Sequence, residues 1–311
     1  MNASDVLAAL RVPGFGQWNV YQVGCVSSPL NFASQQQRAF KLTWALDQAK
    51  LIEGKKVAVV GAGLAGITAA ATCCLRKAEK VTVYDRSHEI MSLQSGAIHR
   101  YVHPYIFWWP RDPEIPSPNW NDATTNFPIL NWKEGNAHEI RNSVVKDSKE
   151  LLNAYFKNNR LRYRMGCDVR RIVPIGDAKI ELLAEGFESR PVPSRDNQYL
   201  PIGAIRNYQR SYDVVIVAVG FGLEAESAGI PFRSYWQQDT LDQPTIRGEN
   251  PHRWLVTGTG EGGLTDAIRL TLFEVQQKEI AEVLLGRKSP TMNIPRDDWE
   301  KKWKRSVKTS L

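Results

Sequence analysis

Cysteine is scarce in this chain of 311 residues: only Cys25, Cys73, Cys74 and Cys167 occur. No CxxC or CxxxxC pair is present, which excludes a dithiol relay and leaves too few ligands at regular spacing for a disulfide framework or a four-cysteine zinc site. Cys73 and Cys74 are neighbours in a predicted helix, where successive side chains diverge by roughly 100°, so they are expected to fill core space. Long hydrophobic runs are missing too. No stretch of about 18 uncharged apolar residues exists to cross a bilayer, and the opening MNASDVLAALRVPGFGQW lacks a basic segment followed by a long apolar one. The expectation is a cytoplasmic protein with no membrane span. GxSxG and HExxH are absent and no paired carboxylates have a clear geometry, so hydrolase chemistry has no support.

What remains is the composition of a folded α/β protein, with 42% apolar and 23% charged residues. The formal net charge is +7, but the basic residues are scattered apart from RYRMGCDVRR (162–171) and EKKWKRSVK (300–308). Those two read as a solvated face and a tail, and no nucleic-acid partner is expected.

The stretch KKVAVVGAGLAGITAAATCCLRKAEKVTVYDRS (55–87) carries the strongest signal. A β-branched run precedes Gly61, an alanine-rich helix follows Gly63, and a second strand ends at Asp85. Gly61, Gly63 and Gly66 therefore form GxGxxG between a strand and a helix, the setting in which the pattern means dinucleotide binding. The first glycine permits the tight turn, the second lets backbone approach the pyrophosphate, and the third lets helix and strand pack closely. Ala62, Leu64 and Ala65 complete the turn, whose N–H groups face an anion at the helix start. Asp85, followed by Arg86, is expected to accept hydrogen bonds from an adenosine ribose.

Two later segments, YDVVIVAVGFG (212–222) and RWLVTGTGEGG (253–263), resemble the second and third signatures of FAD-dependent oxidoreductases of the glutathione-reductase-like superfamily. The resemblance covers about residues 55–275. It implies FAD as cofactor, with NAD as the alternative, and adds Val219, Gly220, Gly260, Glu261, Gly262 and Gly263 as cofactor contacts. Glu261 would meet the flavin ribitol. Val219 stands where the family commonly has threonine, and Glu261 where it has aspartate, so this carboxylate is one methylene longer. The stretch between Gly220 and Thr257 is too short for the second Rossmann domain of two-nucleotide reductases.

The predicted fold is α/β: a Rossmann-like FAD-binding domain (55–98 and 205–286) with a small inserted cap or substrate subdomain (99–204), an N-terminal extension and helix (1–54), and a basic tail (287–311). Helices are expected at 33–52, 138–157 and 264–285, strands at 161–173, 179–183, 212–219 and 253–256, and a loop at 190–210. The segment 92–132 mixes tryptophans with prolines and reads as an irregular aromatic loop. Within it, Arg100 and His103 are the candidates for polarising or deprotonating substrate, by location, and Arg100 is also a candidate cofactor contact. Trp108 and Trp109 offer faces to a planar ring. His99 and His103 lack a third ligand, so no metal site is expected.

The function these readings imply is hydride transfer between flavin and a small-molecule substrate or reduced pyridine nucleotide. The alternative is an FAD- or NAD-loaded sensor or scaffold without turnover, with a protein partner or a second copy of the chain.

Overall fold

The computed structural model describes residues 2–24, 31–104, 124–176, 178–192, 195–220, 235–236, 256, 261–271 and 276–284. In chain order the elements are α1 (Ala3–Leu10), β1 (Val20–Gln22), α2 (Phe32–Gln48), β2 (Lys56–Val60), α3 (Leu64–Leu75), β3 (Lys80–Asp85), β4 (Tyr101–Val102), β5 (Gly135–Asn136), α4 (Ala137–Leu151) and α5 (Asn153–Lys157). They continue with β6 (Leu161–Met165), β7 (Cys167–Ile175), β8 (Lys179–Val192), β9 (Arg195–Tyr212), β10 (Val214–Val217), α6 (Glu261–Thr271) and α7 (Gln277–Leu284).

Among the described residues, β1, β10, β2, β3 and β6 lie side by side in that order, every pair parallel. The period-2 alternation of a strand sends successive side chains to opposite faces. Val57, Val59, Val81, Val83, Val214 and Ile216 enter one core with residues of α2, α3 and α4. Ala58, Val60, Tyr84 and Val215 enter a second core with Cys167, Ile180, Leu182, Ala184, Tyr208 and Tyr212. That second layer is the antiparallel sheet β7-β8-β9. A parallel sheet buried on both faces needs apolar residues at successive positions, and VAVV of β2 after its exposed Lys56 and VVIV of β10 have them. This is a Rossmann-like α/β fold.

The helices begin where the sequence supplies caps. At α2 the Asn31 side chain accepts from Ser34 N at 2.9 Å while Ser34 Oγ accepts from Asn31 N at 3.0 Å, a reciprocal capping box. At α4 Asn136 accepts from Glu139 N at 2.9 Å.

Several expectations are corrected. Of the loop expected at 190–210, residues 190–192 and 195–210 are strand: β9 pairs with β8 from Ile180↔Tyr212 out to Val192↔Arg195. Pairing with β8 overrides the local preference of the Gly, Pro and Asn residues in this stretch. The single strand expected at 161–173 is two, broken at Gly166, whose φ of +69° turns the chain from the parallel sheet into the antiparallel one. β6, within the stretch expected as an insert, is the edge strand of the parallel sheet. The helix expected at 264–285 is α6 and α7, two separate helices. Residues 253–255 of the strand expected at 253–256 and the tryptophans Trp108 and Trp109 lie outside the described residues, and Val256 is described in neither helix nor strand.

Candidate functional site

The parallel sheet has its topological switch between β2 and β10: the chain goes from β2 to β3 on one side, and β10 lies on the other. Ligands of open α/β sheets bind at the carboxyl ends of the strands at such a point. Here those ends are Gly61, after β2, and Ala218–Gly220, after β10.

The three glycines are not equivalent. Gly61 has φ +110°, and its N–H donates to Tyr84 O at 2.7 Å. A Cβ on Gly61 would collide with the carbonyl of Ala218, and one on Gly66 with the carbonyl of Gly61. Both positions are closed by backbone. A Cβ on Gly63 would meet nothing within 4 Å. Gly63 is also the N-cap of α3 and supplies no side-chain hydrogen bond to the helix, so the first N–H groups of α3 at Leu64, Ala65 and Gly66 have neither an intrahelical partner nor a cap. Next to Gly61, Val219 is 61% exposed, an apolar side chain beside bare peptide. Open space above Gly63, uncapped N–H groups and an exposed apolar wall fit the pyrophosphate of a dinucleotide with an apolar group beside it.

Asp85 makes two backbone contacts that the sequence reading did not include. Its Oδ2 accepts from Ala62 N at 2.6 Å and its Oδ1 from Ser87 N at 2.7 Å. Aspartate is too short to leave the end of β3 and turns back onto the glycine turn. Burial raises its pKa, and the two N–H bonds and Arg86 oppose that shift. The Ala62 peptide is held from both sides, because Ala62 O accepts from Met91 N at 3.0 Å. Its N–H is therefore committed to Asp85, which leaves Gly63 and the α3 amides to face an anion. Arg86 is exposed next to it.

The chain leaving β3 is fixed by a residue that the sequence reading did not select. Arg141 on α4 is buried; its Nε donates to Ile90 O at 3.0 Å and Met91 O at 3.1 Å, and its Nη2 pairs with Glu89 at 3.0 Å. Burial lowers its pKa, against the pull of Glu89. Nothing in the local sequence RNSVV marks it, because its partners lie some fifty positions earlier.

Arg100 and His103 are placed away from solvent. Arg100 is 3% exposed, pairs through Nη1 with Asp266 of α6 at 2.5 Å, and lies over the Tyr235 ring at 4.1 Å. Arg269, fully buried one turn on, also approaches Asp266, at 3.8 Å. His103 is 1% exposed, with Nε2 3.5 Å from Glu134 Oε2, the same oxygen that accepts from Tyr101 Oη at 2.6 Å. These contacts tie β4 to α6 and to the start of β5. Among the described contacts, none joins either side chain to the glycine turn.

Gly262 and Gly263 lie half-buried in the first turn of α6, with Gly262 against Tyr235. Gly260 lies outside the described residues, as does the side chain of Glu261. Among the described residues no three of His, Cys, Asp and Glu gather as a metal site, and no helix is long and apolar enough to cross a membrane.

Residues 59–121 match the family model described as an NAD(P)-binding Rossmann-like domain. No curated protein matches the chain. Among solved structures it is similar to the lysine monooxygenase NbtG of Nocardia farcinica (16% identity, 58% of this chain and 35% of that one, TM-score 0.29). It is also similar to the FAD-bound cadaverine monooxygenase DfoA of Erwinia amylovora (12%, 61% and 40%, 0.32) and to an NAD-dependent persulfide reductase of A. fulgidus (12%, 65% and 25%, 0.27). The chain thus spans well under half the length of each, and likenesses at these TM-scores carry no argument. The family model, the strand order and the glycine turn agree: around Gly61–Gly66 the chain carries an NAD(P)-binding Rossmann-like domain.

Proposed function

We propose that the chain is a flavin-dependent oxidoreductase component that holds FAD at the carboxyl edge of its parallel sheet. The observation that carries the reading is the pairing of an open Gly63 and uncapped α3 amides with the exposed Val219 across the β2–β10 switch. FAD and NAD share the ADP half and pyrophosphate that such a turn addresses, so NAD is the alternative ligand at the same place. The later motifs that resemble flavoprotein signatures favour FAD.

In this reading Gly61, Gly63 and Gly66 with the backbone of Ala62, Leu64 and Ala65 shape the pyrophosphate cradle. Asp85 and Arg86 border the adenosine ribose, and Val219 and Gly220 wall the crevice. The segment Gly260–Gly263 approaches the cofactor from the start of α6. Flavin supplies two-electron chemistry when bound; the protein's part is to bind and orient it beside a small substrate or reduced pyridine nucleotide. The buried contacts of Arg100 with Asp266 and of His103 with Glu134 favour a second reading, in which the dinucleotide is held without turnover as part of a sensor or scaffold.

The test is the absorption spectrum of purified protein, with mass spectrometry of the ligand released by heat. A yellow protein releasing FAD supports the proposal, and anaerobic bleaching by candidate reductants separates an enzyme from an inert carrier. A colourless protein that releases only NAD, or takes up no FAD when it is supplied, refutes it.

A further inference from the structure

Two buried amide donors point to a ligand group that the glycine turn does not account for. Asn31 Nδ2 and Gln35 Nε2 are shielded from water and have no hydrogen-bond partner among the described residues. Leaving a buried N–H without an acceptor costs about 1–3 kcal/mol, and such donors are rare in folded proteins. Asn31 is the N-cap of α2 and Gln35 stands in its first turn, joined by the Gln35 N–H to Asn31 O at 3.0 Å, so the two residues lie side by side. Both residues are only partly buried as a whole, so the side chains reach the surface while their donor atoms stay dry.

Their place in the fold says what the acceptor is. A Cβ on Gly24, which follows β1, would lie 2.9 Å from Gln35 Oε1 and 3.7 Å from Gly220 Cα. Gln35 therefore sits at the carboxyl ends of β1 and β10. On the other side of β10, Ala218 packs against Gly61. Gln35, Gly24, Gly220, Val219 and Gly61 follow one another along a single edge of the sheet. At about 4.8 Å per strand, the amides lie roughly 10 Å from the pyrophosphate turn, on the side away from β3 and Asp85. A dinucleotide whose adenosine half lies toward Asp85 extends its other half in this direction.

We propose that Asn31 and Gln35 are binding residues for the amide-carbonyl edge of the redox ring, a group that isoalloxazine and nicotinamide share. The assignment rests on the dinucleotide reading above and extends it to the ring end of the ligand. Neither residue is visible as a site in the sequence, because NFASQQQ reads as a polar helix start, and only the fold sets it beside Gly220.

The test uses two isosteric variants, Gln35→Glu and Asn31→Asp. Each replaces the donor with an oxygen, and Asn31→Asp keeps the acceptor that caps Ser34 N. Affinities of the full chain for FAD, NAD and ADP are measured by calorimetry at neutral pH, with thermal melts to verify folding. The expected result is a roughly tenfold weaker affinity for the dinucleotide that wild type binds, with ADP affinity unchanged, since ADP lacks the ring. Comparison of FAD with NAD identifies which ring is recognised. Unchanged dinucleotide affinity, or equal weakening of dinucleotide and ADP, overturns the assignment and leaves the proposed function standing. A wild-type chain that binds neither FAD nor NAD overturns both.

Discussion

Replacing Asp85 by asparagine tests whether this carboxylate acts on the glycine turn or on the ribose. In wild type the two oxygens accept one N–H each, from Ala62 at 2.6 Å and Ser87 at 2.7 Å. Asparagine has one oxygen for two donors, so one N–H faces an NH₂ group and loses its acceptor, a penalty of about 1–3 kcal/mol. Removing a dehydrated charge offsets part of that, because burial raises the Asp85 pKa in the fold. The expected change in stability without ligand is therefore within about 1 kcal/mol, read from urea melts. The turn, however, loses the anchor of Ala62, and dinucleotide affinity is expected to fall about tenfold, or about 1.4 kcal/mol. The decisive ligand is an analogue lacking the hydroxyls of the adenosine ribose. If Asp85 works through the Ala62 N–H, the variant loses the same factor with the analogue as with the natural ligand. If the loss vanishes with the analogue, the carboxylate acts on the ribose and the reasoning is wrong. The pH dependence has a definite sign. The folded chain holds this proton more tightly than the unfolded one, so the Asp85 contribution to stability is greatest below the unfolded pKa and is lost as pH rises through the folded pKa. Dinucleotide affinity moves the other way, since the ionised form accepts both N–H groups.

Gly66→Ala and Gly63→Ala should separate fold from binding. The first drives a Cβ into the Gly61 carbonyl and is expected to lower stability by about 3 kcal/mol or more; the second enters open space and should leave the melt unchanged while weakening the dinucleotide at least tenfold. Equal melts for the two would refute the closed packing at Gly66. Asp266→Asn leaves the buried Arg100 and Arg269 without their carboxylate, and a loss of about 3–5 kcal/mol is expected from denaturant melts. Full stability with lost turnover would instead return Arg100 to a catalytic role. Burial pushes the Asp213 carboxyl up, but Lys179 at 2.5 Å and the Lys56 N–H at 2.9 Å outweigh it and hold the pKa below the usual range. Asp213→Asn should cost about 1 kcal/mol at neutral pH. That difference should disappear in acid, because the wild-type contribution exists above the unfolded pKa and is lost as pH falls through the folded one; a pH-independent difference would refute the ion-pair origin.

The central βαβ unit was legible because its determinants are local. The β-branched run before Gly61, the small residues of α3 and the glycine spacing each act over a few positions, and β2, α3 and β3 fall where the pattern puts them. The contacts of Arg100, His103 and Asp85 were not legible, because each is made with a neighbour distant in sequence. Arg100 meets Asp266, His103 meets Glu134, and Asp85 turns back 23 positions to Ala62. Within the stretch 190–210 read as a loop, residues 190–192 and 195–210 are strand by pairing between β8 and β9.

The sequence by itself determined the strand–turn–helix that presents bare backbone at Gly63, since only glycine at 61 and 66 lets those backbones touch. Tertiary structure decided what lies beside that turn. Parallel pairing brings β10 and β1 next to β2, so Val219, Gly220 and the amides of Asn31 and Gln35 share one edge with Gly61. Hydrogen bonding between strands is blind to their separation along the chain, and no pattern within any one segment records which others it will join.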